Sequence, residues 1–185
     1  MRYQTRTLES RDFDTLMRLE DEIFAADGES VLGPYYLRLC CDFYADTSFV
    51  VESGGRVAGY LLSFVKGREA YCTTLAVHPD YQGSRVVVML LRALARALQD
   101  TVDVVWFTVK PENLAARQLH AVLGAVETGV LKDFYHAGDA RIVSYIDRDG
   151  LERMRGRYER LGLVAEAPGV VAANDGGGVE SLARA

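Results

Sequence analysis

The chain has 185 residues, 49% of them hydrophobic and 25% charged, with a formal net charge of −5 at pH 7. That length fits one domain with a single sizeable core, the composition is that of an ordinary soluble globular protein, and an acidic chain lacks the basic face that nucleic acid requires. Cys40, Cys41 and Cys72 have neither metal-type spacing nor the look of a disulfide framework, and no stretch resembles a signal peptide or membrane span, so a reduced, cytoplasmic setting without membrane partners is expected.

In chain order, residues 3–8 alternate as a strand does, and Ser10 is placed to cap a helix bearing Phe13, Leu16, Met17, Leu19, Ile23 and Phe24. A loop over 28–34 precedes a short helix carrying Tyr36, Leu37, Leu39, Cys40 and Phe43. Strands over 48–52 and 56–65 flank Ser53-Gly54-Gly55, a hairpin signal, and Lys66-Gly67-Arg68 turns into the next strand, 71–77. That strand stops at His78-Pro79-Asp80, because proline fixes its own φ and drives its predecessor out of the helical region. Val87, Leu90, Leu91, Leu94 and Leu98 then recur at helical spacing, as one buried face.

After this helix comes a crossover to a strand over 102–109, predicted parallel to 71–77 within a mixed sheet. Trp106 reads as core. A second strand, turn and helix follow, with Asn113 as cap, Ala116, Leu119, Val122 and Leu123 as the apolar face and Gly124 as the stop. Strands over 126–134 and 141–147 complete about seven. Leu151, Met154, Tyr158 and Leu161 predict an added amphipathic helix, packed on the domain or on a second copy, so a homodimer is expected. The organisation expected is a domain over 1–147, the added helix over 148–163 and a loose tail over 164–185, too poor in large apolar residues to offset its ordering entropy.

The unit over 69–99, strand then tight turn then helix, presents unpartnered N–H groups at the positive end of a helix dipole, a place suited to phosphate. Its sequence LAVHPDYQGSRVVVMLL resembles motif A of the GNAT superfamily of N-acetyltransferases, in which an apolar-Ala-Val strand end leads to Gln/Arg-x-x-Gly-x-Gly/Ala. Gln82 matches the first position, while Arg85 and Val87 stand where glycines are usual. The stretch 104–125 resembles the same family's Asn-x-x-Ala-x-x-Leu-Tyr pattern, most closely the ribosomal-protein N-terminal alanine acetyltransferases.

The resemblance implies an α/β GNAT fold, its mostly antiparallel sheet splayed between the fourth and fifth strands. It also implies acetyl-CoA as co-substrate, no metal, and a primary amine of a small molecule or peptide as acceptor. By the same resemblance the donor lies along Leu75, Ala76 and Val77, the loop Gln82, Gly83, Ser84, Arg85, Val86 and Val87, and Asn113 and Ala116. The acceptor site draws on Phe24, Tyr71, Thr73 and Tyr135.

Acyl transfer needs an acid for the leaving thiolate and a path for the amine's proton. His120 occupies the position of the family's acid tyrosine and reads either as that acid, acting as histidinium, or as a surface residue. Thr108 replaces a glutamate base, which leaves Glu69, Tyr71, or water held by Thr73 and Thr108 as routes for the proton. A binding module without catalysis and a transferase with a different acyl donor remain alternatives.

Overall fold

The computed structural model describes residues 2–25, 31–98 and 100–162. Seven strands make one sheet: β1 (Tyr3–Thr7), β2 (Phe49–Ser53), β3 (Arg56–Lys66), β4 (Glu69–Val77), β5 (Val104–Val109), β6 (Val126–Leu131) and β7 (Arg141–Asp147). Their order across the sheet is β1-β2-β3-β4-β5-β7-β6, and every pairing is antiparallel except β4 with β5. This is the mixed, mostly antiparallel sheet expected from the sequence. The β2–β3 hairpin turns on Gly54 and Gly55, both at positive φ (59° and 77°), which glycine adopts without steric cost.

One face of the sheet is covered by α1 (Phe13–Ile23) and α2 (Pro34–Asp42), whose Leu16 and Leu37 pack with Val50, Tyr60 and Leu62. The other face carries α3 (Val86–Leu98), with α4 (Leu114–Val122) and α5 (Arg148–Arg160) beside it. There Val86, Leu90 and Leu94 meet Val51, Leu61 and Phe107. Burying each such side chain contributes about 1.5–3 kcal/mol, so both faces are anchored.

Several local expectations are revised. Ser10 does not cap α1; it opens a single 3₁₀ turn and its hydroxyl bonds Asp42 at 2.5 Å, while the Asp12 carboxylate accepts the Glu9 N–H at 2.8 Å. The stripe of α3 begins at Val86, which is fully buried, and Val87 is half-buried. Gly59 opposite makes that possible, since a Cβ there would lie 2.7 Å from Val86 Cγ1. Val122 on α4 is exposed, because that helix covers only a corner of β5. Trp106 is half-buried on the outer face, against Tyr145, with its indole N–H donating to Glu69.

The added helix α5 packs on its own domain. Tyr158 is buried and donates to the Leu123 carbonyl at 2.5 Å, and Leu151 and Met154 lean on the same core. Most of the apolar stripe that suggested a second copy is thereby covered within the chain, Leu161 alone staying exposed. The predicted tail and the tip of the loop after α1 lie outside the described residues. Among the described residues no helix is long and apolar enough to cross a membrane.

Candidate active site

A single irregularity in β4 makes the site. Leu62 pairs with Thr74 and Ser63 with Cys72, so Thr73 is an extra residue outside the pairing register, its hydroxyl donating to the Leu62 carbonyl at 3.2 Å. Such a bulge bends its strand and inverts the alternation of side chains. Cys72 accordingly faces the α3 core while Ala76, four residues on, faces the α1–α2 core. Pairing with β5 ends at Cys72 with Phe107, immediately before the bulge. From there the strands part, and Thr73, Thr74 and Leu75 of β4 face a cleft of about 850 Å³ instead of a neighbouring strand, while Ala76 and Val77 do not line it.

At one end of that cleft lies the turn into α3. Pro79–Tyr81 forms a 3₁₀ turn, and Gly83 takes φ +72°, where a side chain would be strained although open space surrounds it. The hydroxyl of Ser84 accepts from the Val86 N–H at 3.3 Å. Among the described residues, the N–H groups of Gly83, Arg85, Val87 and Val88 have no backbone acceptor. Unpartnered N–H groups at a helix N-terminus are a setting that suits an anion, and they are present here with Arg85 and Val87 in place of glycines. Val87 lines the cleft, and the Arg85 guanidinium stacks over the Tyr3 ring, 5.5 Å from its centroid.

The other wall comes from α4. Asn113 caps this helix by accepting the Ala116 N–H at 3.0 Å, and Asn113, Ala116 and Leu119 face the cleft. His120 is half-buried there, with its ring stacked on Phe107 (centroids 4.7 Å) and Nδ1 3.3 Å from the Ser144 hydroxyl. Burial lowers its pKa from the usual 6.5, with the Glu127 charge pulling the other way, so the imidazole is held neutral at pH 7 rather than as histidinium.

Across the sheet a set of hydroxyls converges. Tyr71 Oη lies 2.8 Å from Thr108 Oγ1 and 3.0 Å from Tyr135 Oη, which is itself 3.2 Å from Thr108. Beside them Tyr36 Oη meets Thr73 Oγ1 at 2.7 Å. Burial raises the pKa of Tyr36 and Tyr71, so both act as neutral hydrogen-bonding groups. Tyr135 is carried by the β6–β7 loop, which Asp139 braces by accepting the Tyr135 N–H at 3.3 Å and pairing with Arg141 at 2.9 Å.

Phe24 lines the cleft with Leu32, Tyr36 and Phe64. Glu69 sits elsewhere, at the closed end of β4 beneath Trp106, and does not line the cleft. Sequence reasoning placed Tyr36 on the short second helix without giving it a site role, and passed over Glu20. The latter is 1% exposed, accepts from the Tyr60 hydroxyl and from the Leu32 N–H (2.8 Å), and borders the cleft. Burial raises its pKa, although both hydrogen bonds oppose the shift. The available signal was a carboxylate on the apolar stripe of α1, one position after Leu19.

The profile of the acetyltransferase (GNAT) family matches residues 13–125, more than half of the chain. The chain belongs to the GNAT acetyltransferase family. Among similar proteins, an uncharacterized N-acetyltransferase of Methanocaldococcus jannaschii is 25% identical over 143 residues, covering 75% of this chain and 87% of that protein. The ribosomal protein bS18 alanine N-acetyltransferase of Escherichia coli is 30% identical over 95 residues, which cover 51% of this chain and 64% of that enzyme. In structure, the diaminobutyrate acetyltransferase of Paenibacillus lautus, solved with L-2,4-diaminobutyric acid and coenzyme A, superposes with a TM-score of 0.64 at 21% identity. It covers 77% of this chain and 94% of its own.

As a GNAT protein the chain is an N-acetyltransferase with acetyl-CoA as co-substrate. Among the described residues no group of three or more His, Cys, Asp and Glu side chains is placed to hold a metal ion.

Proposed function

We infer that the cleft between β4 and β5 binds acetyl-CoA and that the chain transfers the acetyl group to the primary amine of a small molecule or a peptide. The observation that carries this reading is the coincidence of the Thr73 bulge, which frees the β4 edge, with unpartnered N–H groups at the start of α3. The loop holds the pyrophosphate. Leu75, which lines the cleft, and beyond it Ala76 and Val77 offer main-chain groups to the pantetheine arm, with Asn113 and Ala116 on the opposite wall. An N–H of the freed β4 edge stabilises the charge that develops on the thioester oxygen.

The amine approaches from the side of Phe24, Tyr36, Tyr71, Thr73 and Tyr135, where the hydroxyls of Tyr36, Tyr71, Thr73 and Tyr135 orient it and accept its hydrogen bonds. As the C–N bond forms and the C–S bond breaks, one proton must leave the nitrogen and one must reach the sulfur. His120, neutral at rest, takes the proton and returns it to the thiolate, so it serves as a relay. Thr108 belongs to the hydroxyl cluster and carries no charge of its own.

Among the described residues Glu20 is the carboxylic acid bordering the cleft, and it is committed to Tyr60 and Leu32. That makes it a positioning residue for the acceptor loop. The test is titration with acetyl-CoA by calorimetry, followed by thiol release from acetyl-CoA with a panel of amino acids, diamines and peptide N-termini. Binding with amine-dependent thiol release supports the reading, and absence of acetyl-CoA binding by the folded protein ends it.

A further inference from the structure

Behind the cleft lies a second cavity that acetyl transfer does not use. It measures about 170 Å³ and opens between α3 and α5 over β5 and β7, lined by Leu94, Leu98, Val105, Ile146, Leu151 and Tyr158. Leu91, Phe107 and Leu123 line both this cavity and the cleft, so one layer of apolar side chains separates them. That layer stands where β4 and β5 close, at Cys72 and Phe107.

We propose that this cavity receives the acyl chain of a longer acyl-CoA thioester, so that the donor site accepts chains of about six carbons as well as acetyl. The proposal rests on the donor reading above. An acyl chain growing from the thioester has two directions open to it. Toward the acceptor side it meets the hydroxyls of Tyr36, Thr73, Tyr71, Thr108 and Tyr135, whose bonds to one another leave further hydrogen-bonding capacity that hydrocarbon would cut off from water and from the amine. Toward the closed end of the cleft it meets Leu91, Phe107 and Leu123 and, past them, the apolar cavity.

Size sets the chain length. An apolar cavity of about 150 Å³ takes a benzene-sized guest, roughly six carbons. The rim argues against a free carboxylate entering from outside. Arg68 and Arg148 both pair with Asp103, at 2.6 and 2.8 Å, and Arg148 also reaches Glu152 at 3.3 Å, so these rim cations already have their counter-charges.

The reaction is unchanged in its balance. The amine nitrogen forms the amide bond, the C–S bond breaks, coenzyme A leaves as the thiol with the proton taken from the amine, and only the acyl substituent differs.

The experiment compares acetyl-CoA with hexanoyl-CoA by calorimetry on the full chain. Four added methylenes, at roughly fourfold each, set an upper limit near 250-fold, from which opening the Leu91–Phe107–Leu123 layer subtracts. A gain of tenfold or more is expected. Filling the cavity with Ala95→Phe, or with Leu151→Phe where the first variant folds poorly, is expected to abolish that gain and leave acetyl-CoA affinity within about twofold. If wild-type protein binds hexanoyl-CoA no more tightly than acetyl-CoA, or if the gain survives in both filled variants, the cavity is not an acyl site. A protein that binds neither thioester fails the donor reading itself, which separates the two failures.

Discussion

Gly59 is the position where fold and donor site are most tightly joined, and its replacement by alanine tests that joint. A Cβ there would lie 2.7 Å from the Ala76 carbonyl oxygen and 2.7 Å from Val86 Cγ1, both well inside van der Waals contact. Relief requires α3, or the pairing of β3 with β4, to move by roughly 0.7 Å, and overpacking of this kind costs about 1–3 kcal/mol. Loss of glycine's freedom in the unfolded chain offsets about 0.4–1 kcal/mol, less than the clash. The net effect, centred on about 1.3 kcal/mol, is a melting temperature lower by roughly 3–5 °C for a chain of this size.

Because Val86 opens α3, the same movement displaces the N–H groups of Val87 and Val88, so acetyl-CoA affinity falls as well. Thermal melts with and without acetyl-CoA measure both effects. Adding Val86→Ala removes one of the two clashing atoms, and the double variant is expected to recover part of the donor affinity lost in Gly59→Ala alone. An unchanged melting temperature together with unchanged donor affinity in Gly59→Ala would refute the reasoning.

Four further outcomes are expected. His120→Ala lowers turnover roughly ten- to a thousandfold with little change in donor affinity; burial keeps the imidazole pKa below 6.5, so wild-type kcat/KM falls on the acid side of that value, and this limb is absent from the variant. Arg85→Ala weakens acetyl-CoA binding about tenfold and flattens its salt dependence, whereas equal affinities at two salt concentrations would show that the guanidinium serves only Tyr3. Burial raises the Glu20 pKa above 4.5, so the folded state holds a proton that the unfolded chain has lost, and stability drains away as pH rises through the window above 4.5. Glu20→Gln lacks that slope, so its melting temperature relative to wild type climbs between pH 4 and pH 8, and parallel profiles would contradict the assignment. Gly156→Ala, mid-helix on the exposed face of α5 with only Arg160 Nη1 within 4 Å of the new methyl, stabilises by about 0.5–1 kcal/mol in chemical denaturation; no gain would mean that α5 is not helical there in solution.

Much of the architecture is local and therefore legible in the chain. Pro79 and Gly83 punctuate the turn between β4 and α3, Gly54-Gly55 closes a hairpin, Asn113 caps α4 and Gly124 ends it, because each act depends on the backbone freedom or side-chain reach of one or two residues. The periodicity of Leu90, Leu94 and Leu98 likewise states which face of α3 is buried. Motif resemblance added the family and the donor, and the matched residues 13–125 agree with it.

What the sequence could not state is whatever depends on two distant segments meeting. The bulge at Thr73 exists only in the register between β3 and β4, and no residue type marks it, yet it separates β4 from β5 and creates the cleft. Whether Val86 or Val87 turns inward was decided by the missing side chain at Gly59, 27 positions away. His120 reads as surface or site with equal ease until Phe107 and Ser144 enclose it and set its charge. Glu69 pairs with Val104 at the closed end of β4 whereas Thr108 stands one residue past the last β4–β5 pair and lines the cleft, and only three-dimensional pairing says which end of the strands opens.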